Sequence, residues 1–88
     1  MQITFDPAKR DKILLERGLD FARAPEVFAS RHFSDAVEVN GEKRFFTMGL
    51  LDNRIVVVVW MWRSDSRRII SMRKANDREQ QKYRQRLD

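Results

Sequence analysis

The stretch VEVNGEKRFFTMGLLDNRIVVVVWMW, residues 37–62, decides the fold class. Asn40-Gly41 is a two-residue hairpin signal, because both positions tolerate positive φ. Asp52-Asn53 supplies a second, weaker turn. Between the turns Lys43 to Leu50 reads as a strand. Arg54 to Trp62 is apolar on both faces, as a central strand covered on both sides would be. Upstream, from His32, the residues Phe33, Asp35, Val37 and Val39 alternate with polar or small neighbours and predict a half-exposed strand. Downstream, Ser64-Asp65-Ser66 is a loop and Arg67 to Arg73 returns as a strand. The four segments predict an antiparallel meander.

Toward the N-terminus, QITF (residues 2–5) reads as a short strand. Asp6-Pro7 starts a helix: the carboxylate caps free N–H groups, and Pro7 stands where no donor is needed. That helix should end at Gly18, which takes the left-handed conformation at low cost. Asp20 to Ala29 is a second short helix with Phe21, Ala24 and Phe28 on one face, and Pro25 either distorts its first turn or begins it. At the C-terminus, Asn76-x-x-Glu79 matches a capping box, and helix follows to about Arg86. The expected architecture is α+β: a four-stranded antiparallel meander plus a short N-terminal strand, two N-terminal helices and a C-terminal helix, with the helices on one side.

The 88 residues fit one domain, small enough that its core is thin, and 42% apolar content suffices to bury it. The chain has no cysteine, which removes thiolate chemistry and fits a reducing compartment. The single histidine, His32, cannot build a soft metal site and reads as an ordinary surface or core-edge residue. MQITFDPAKR has no apolar signal segment, and the longest apolar run, IVVVVWMW, is too short to span a bilayer, so a soluble cytoplasmic protein is expected.

Charge is segregated. Residues 1–62 hold nine basic and nine acidic side chains, whereas residues 63–88 hold nine basic against four acidic, which is the whole net charge of +5. A solubility charge would be spread out; an anion-facing surface would be gathered like this. The tail RRIISMRKANDREQQKYRQRL, residues 67–87, also carries the only tyrosine.

No histidine pair, nucleophile elbow, phosphate-cradling glycine loop or carboxylate cluster spaced for divalent metal occurs. Arginine, lysine, one glutamate and one tyrosine remain, and that set serves one reaction class. RNA brings its own nucleophile, the 2′-hydroxyl, so a protein need only orient the phosphate, stabilise charge on it and assist proton transfer. Arginine offers bidentate donors to phosphate, Glu79 a base, and Tyr83 a stacking ring or proton donor. Glu79 and Tyr83 share a helix face, with Arg86 near the same stripe. On the preceding strand Arg67, Ile69, Ser71 and Arg73 alternate with Arg68, Ile70 and Met72, so Arg68 and Arg73 share a face only if the strand bulges or ends between them.

Each residue also has a plainer role. Glu79 completes the capping box, the late helix cations suit the negative dipole end, and Tyr83 is a core anchor. Arg67 and Arg68 deter edge pairing, and Trp60 and Trp62, two apart, pack together under a helix.

Read together, the chain resembles the BrnT family, the ribonuclease half of type II toxin–antitoxin pairs with a RelE-like fold. The resemblance rests on ITFDPAK, RGLDFARAPEVF, GEKRFFTMGLLDNRIVVVVW and, most specifically, RIISMRKANDREQQKY, in that order. Many members carry histidine where this chain has Arg17, so no role for that histidine transfers. The resemblance implies a cytoplasmic, metal-independent endoribonuclease that arrests translation and needs no cofactor. It also implies neutralisation by a BrnA-like, ribbon-helix-helix antitoxin, with operator DNA contacted only through that partner. Mapped onto this sequence, Arg68 and Arg73 are phosphate and transition-state ligands, and Glu79 and Tyr83 assist proton transfer or positioning. Arg67, Lys74, Lys82 and Arg86 add RNA attraction. The alternative is a non-catalytic nucleic-acid-binding or protein-interaction module using the same basic surface.

Overall fold

The computed structural model describes residues 2–87. Its elements run β1 (Ile3–Thr4), α1 (Pro7–Arg17), a single 3-10 turn (Phe21–Arg23), α2 (Ala24–Ala29), β2 (Phe33–Val39), β3 (Glu42–Leu51), β4 (Arg54–Arg63), β5 (Ser66–Lys74) and α3 (Asp77–Leu87). Both hairpins close where the sequence places them. Asn40 and Gly41 have φ of 51° and 79°, Asp52 and Asn53 of 51° and 63°, so each turn puts two positive-φ residues between its strands. The resulting registers, Val39↔Glu42 and Leu51↔Arg54, fix which side chains share a face from β2 to β4.

Three expectations need correction. The sheet has five strands in the order β1-β5-β4-β3-β2, because β1 pairs parallel to β5 through Ile3↔Arg67 and Thr4↔Arg68. The α+β class holds and the sheet is mostly antiparallel, but the N-terminal strand is part of it. The second helix is also shorter than Asp20 to Ala29. Asp20 caps a 3-10 turn by accepting from Ala22 N–H at 2.9 Å, and the α-helix starts only at Ala24, one residue before a proline that has no N–H to donate. Finally, the helices lie on both faces of the sheet. α1, the 3-10 turn and α2 cover one, and α3 covers part of the other.

The apolar run of β4 explains this arrangement. Val56, Val58 and Trp60 point toward α1 and α2 and join Phe21, Val27, Ile69 and Met72 in the larger core. Val57 and Val59 point the other way and join Phe33, Met48 and Tyr83 under α3. Burying a side chain of this size contributes about 1.5–3 kcal/mol, so neither face of β4 tolerates solvent. Gly49 sets how closely α2 lies on β3. A Cβ there would stand 2.8 Å from Val27 Cγ1 and 2.9 Å from Ser30 Oγ. Ser30 Oγ uses that proximity, donating to Val27 O at 2.7 Å and accepting from Leu50 N–H at 2.9 Å.

Candidate functional site

β5 carries the arginines that the sequence singles out, and its irregularity decides where they point. Val59 pairs with Ser71 but Trp60 pairs with Ile69, so β5 has one extra residue, Ile70, opposite an unbroken β4. The bulge resets the alternation: Ile69 and Met72, three apart, both enter the larger core. Arg68 lies opposite Met61 and Arg73 opposite Val57, and Met61 and Val57 are on the α3 side of β4. Arg68 and Arg73 therefore share the α3 face, the condition that regular alternation would have denied. Their partners on β4 are four residues apart, which separates them by roughly 13 Å along the sheet.

Around Arg73 the site is tightly tied. Its Nη1 and Nη2 donate to Glu79 Oε1 and Oε2 at 2.6 and 2.8 Å. Glu79 also completes the capping box: Oε1 accepts from Asn76 N–H at 2.9 Å, and Asn76 Oδ1 accepts from Glu79 N–H at 2.8 Å. The Arg73 guanidinium, more than the cap, holds the Glu79 carboxyl below its ordinary range. Glu79 is thus a fixed anion that orients Arg73, and a weaker base than a free glutamate. Across a cleft of about 330 Å³, Asp35 on β2 accepts from Lys82 at 3.0 Å and from Arg86 at 3.1 Å. These cations, Lys82 first, lower the Asp35 carboxyl. Arg78 lines the same cleft and makes no ion pair among the described residues; Phe46 and Met48 form its floor.

The structure thus brings Arg73, Glu79 and Lys82 to one concavity. Arg68 lines a separate cleft at the sheet edge with Arg44, Met61 and Arg63, which Asp6 and Glu42 also line. Tyr83 is 8% exposed and belongs to the core; its hydroxyl donates to Arg31 O at 2.8 Å, which pins α3 to the start of β2. Arg86 lies over the Phe33 ring at 4.0 Å. Arg67 is on the opposite face, its guanidinium 4.3 Å from the Phe28 ring centre and 4.7 Å from that of Trp60. Trp60 is buried there, donating from Nε1 to Thr47 Oγ1 at 2.8 Å, but Trp62 is half-exposed rather than under a helix. Lys74 ends β5 beside the second hairpin, away from the Arg73 cleft.

Sequence reasoning missed Arg44, whose Nε is buried without a hydrogen-bond partner among the described residues. The signal was present: Asn40-Gly41 fixes the β2–β3 register, and Arg44, next to core-facing Phe45, must face the α3 side. It also missed Arg54 and Arg84, which line a cleft with Lys74. Among the described residues no three His, Asp or Glu side chains converge as a metal site would require. No helix is long and apolar enough to cross a membrane.

A family profile described as "Ribonuclease toxin, BrnT, of type II toxin-antitoxin system" matches residues 5–79. A comparison with curated proteins finds no match.

Proposed function

The chain belongs to the BrnT family of ribonuclease toxins of type II toxin–antitoxin systems, and from that premise we propose that it cleaves RNA without a metal ion in the concavity between α3 and the open part of the sheet. The observation that carries this reading is the β5 bulge, which turns Arg68 to the same face as the Glu79-oriented Arg73. In the proposed reaction the 2′-oxygen forms a bond to the adjacent phosphorus and the bond to the 5′-oxygen breaks, leaving a 2′,3′-cyclic phosphate and a 5′-hydroxyl. Arg73 stabilises the charge that builds on the phosphoryl oxygens, and Glu79 keeps its guanidinium aimed before RNA arrives. Glu79, although a weaker base than a free glutamate, accepts the 2′-hydroxyl proton as the oxygen bonds to phosphorus, and water protonates the departing 5′-oxygen. Arg68 and Arg44 hold a flanking phosphate, while Lys82 and Arg78 raise the local concentration of RNA. Tyr83 positions α3 from within the core. Arg67, on the other face, and Lys74, at the sheet end, act outside this concavity.

A type II system pairs its toxin with a protein antitoxin. We assign that partner the BrnA-like, ribbon-helix-helix character that the sequence resemblance implies, with operator DNA contacted through it. A second reading, RNA binding without cleavage, draws on one feature: Arg73 and Glu79 satisfy each other through two hydrogen bonds. Arg73→Ala separates the two. Expressed without antitoxin, the wild type stops growth and the variant does not, although its circular dichroism is unchanged. A variant that folds and remains fully toxic shows that the chemistry is elsewhere.

A further inference from the structure

Beyond the cleft that holds Arg73, the opposite flank of α3 faces the end of the sheet. There the Asp52-Asn53 turn, the last residues of β5 and the C-terminus of α1 meet. Two adjoining clefts, of about 230 and 320 Å³, share Arg54 and Lys74 as common walls. Arg84 lines the first and Arg17 the second. Arg17 is fixed by donating from Nη1 to Met72 O at 2.8 Å. Asp52 is the one carboxylate on either wall among the described residues, and Arg23 already binds it at 2.7 and 2.8 Å.

Four cations are thus gathered beside a single carboxylate that Arg23 already binds, and their mutual repulsion opposes folding. Local helix chemistry accounts for two. Arg17 and Arg84 sit in the last turns of α1 and α3, where the helix dipole favours positive charge. Arg54 and Lys74 are strand residues with no such reason, and neither makes an ion pair or side-chain hydrogen bond. Protein partners anchor on large apolar or aromatic side chains. The exposed ones here, Leu14, Leu15, Val37 and Trp62, line neither cleft. Uncompensated cations without an apolar anchor suit a polyanion held through its charges.

We propose that this sheet end is a second RNA-binding site, in which Arg17, Arg54, Lys74 and Arg84 hold phosphodiesters of the strand beyond the scissile linkage. The proposal rests on the RNA-binding part of the proposed function, not on its cleavage chemistry, and extends the strand's path around α3. Each phosphate neutralised on a single strand adds about 0.7 to the slope of log affinity against log salt.

The test is equilibrium binding of the full chain to a short 2′-O-methyl oligoribonucleotide across a salt series, wild type against R54Q/R84Q. The expected result is a slope shallower by about 1.4 and an affinity at low salt weaker by at least tenfold. R54Q alone should give about half the slope change, and circular dichroism confirms that both variants fold. A parental slope in the folded double variant overturns the proposal, as does absence of binding by the wild type. Poly-L-glutamate bound more tightly than the oligonucleotide, and released by the same substitutions, overturns it in favour of an acidic protein. Cleavage of the unmodified oligonucleotide by wild type is scored separately. Salt-sensitive binding at Arg54 and Arg84 without cleavage ends the enzymatic reading and leaves this site standing.

Discussion

The two flanks of α3 carry similar charge and hold it differently. On the flank facing the open sheet, Arg73 is bound by Glu79, and Lys82 and Arg86 are bound by Asp35. On the flank facing the sheet end, Arg54 and Lys74 have no such partner, and Arg84 reaches only Gln80 at 3.5 Å. A guanidinium held in a bidentate pair has a fixed direction, which transition-state stabilisation requires. A cation without a partner has reach and an undiminished field, which suits capture of a flexible strand. The comparison teaches that a count of basic residues does not distinguish these tasks. The positions of a few carboxylates do.

The largest effect is expected where both flanks depend on one residue. Tyr83→Ala should destabilise the protein by about 3–5 kcal/mol, since it empties an aromatic site in the α3-side core. Chemical denaturation measures it, and a loss below about 1 kcal/mol would show that α3 is held by other contacts. A smaller change separates the flanks by pH. The folded-state pKa values of Glu79 and Asp35 lie below their ordinary values of 4.5 and 3.8. The folded protein therefore binds fewer protons there than the unfolded chain. The stabilisation is complete above the ordinary values and is lost as pH falls through the lowered ones. About 1 kcal/mol is expected from Glu79, allowing for the solvent exposure of Arg73. Denaturation midpoints near pH 6 and pH 3 test this, and Glu79→Gln should remove its share. The smallest change, Asp35→Asn, releases Lys82 and Arg86 and makes the inner flank resemble the outer one. Stability should fall by about 1 kcal/mol or less, while the salt dependence of RNA binding steepens. An unchanged salt slope would show that neither cation reaches RNA.

Much of the scaffold was legible because it depends on local chemistry. Asn40-Gly41, Asp52-Asn53, Asp6-Pro7, Gly18 and the Asn76/Glu79 box each specify one turn or cap, and the structure contains each of them. The apolar run of β4 announced coverage of both faces, yet a row of valines does not say which helix goes where. That allocation depends on connections, such as the path that leaves β1 through α1 and comes back to it, parallel, only at β5. The candidate site was less legible for the same reason. Whether Arg68 and Arg73 share a face hinges on a single bulged residue, Ile70, in a run that reads as regular alternation. The separation of Arg67 onto the aromatic face follows from that register as well. Arg54 and Arg84 are far apart in sequence and meet only through the fold.

The most direct measurement is end-group analysis of RNA incubated with the purified chain in the presence of EDTA. The account predicts products with 2′,3′-cyclic phosphate and 5′-hydroxyl ends, and no cut where the scissile ribose is 2′-deoxy. Products with 3′-hydroxyl and 5′-phosphate ends, formed only when a divalent ion is supplied, would contradict it.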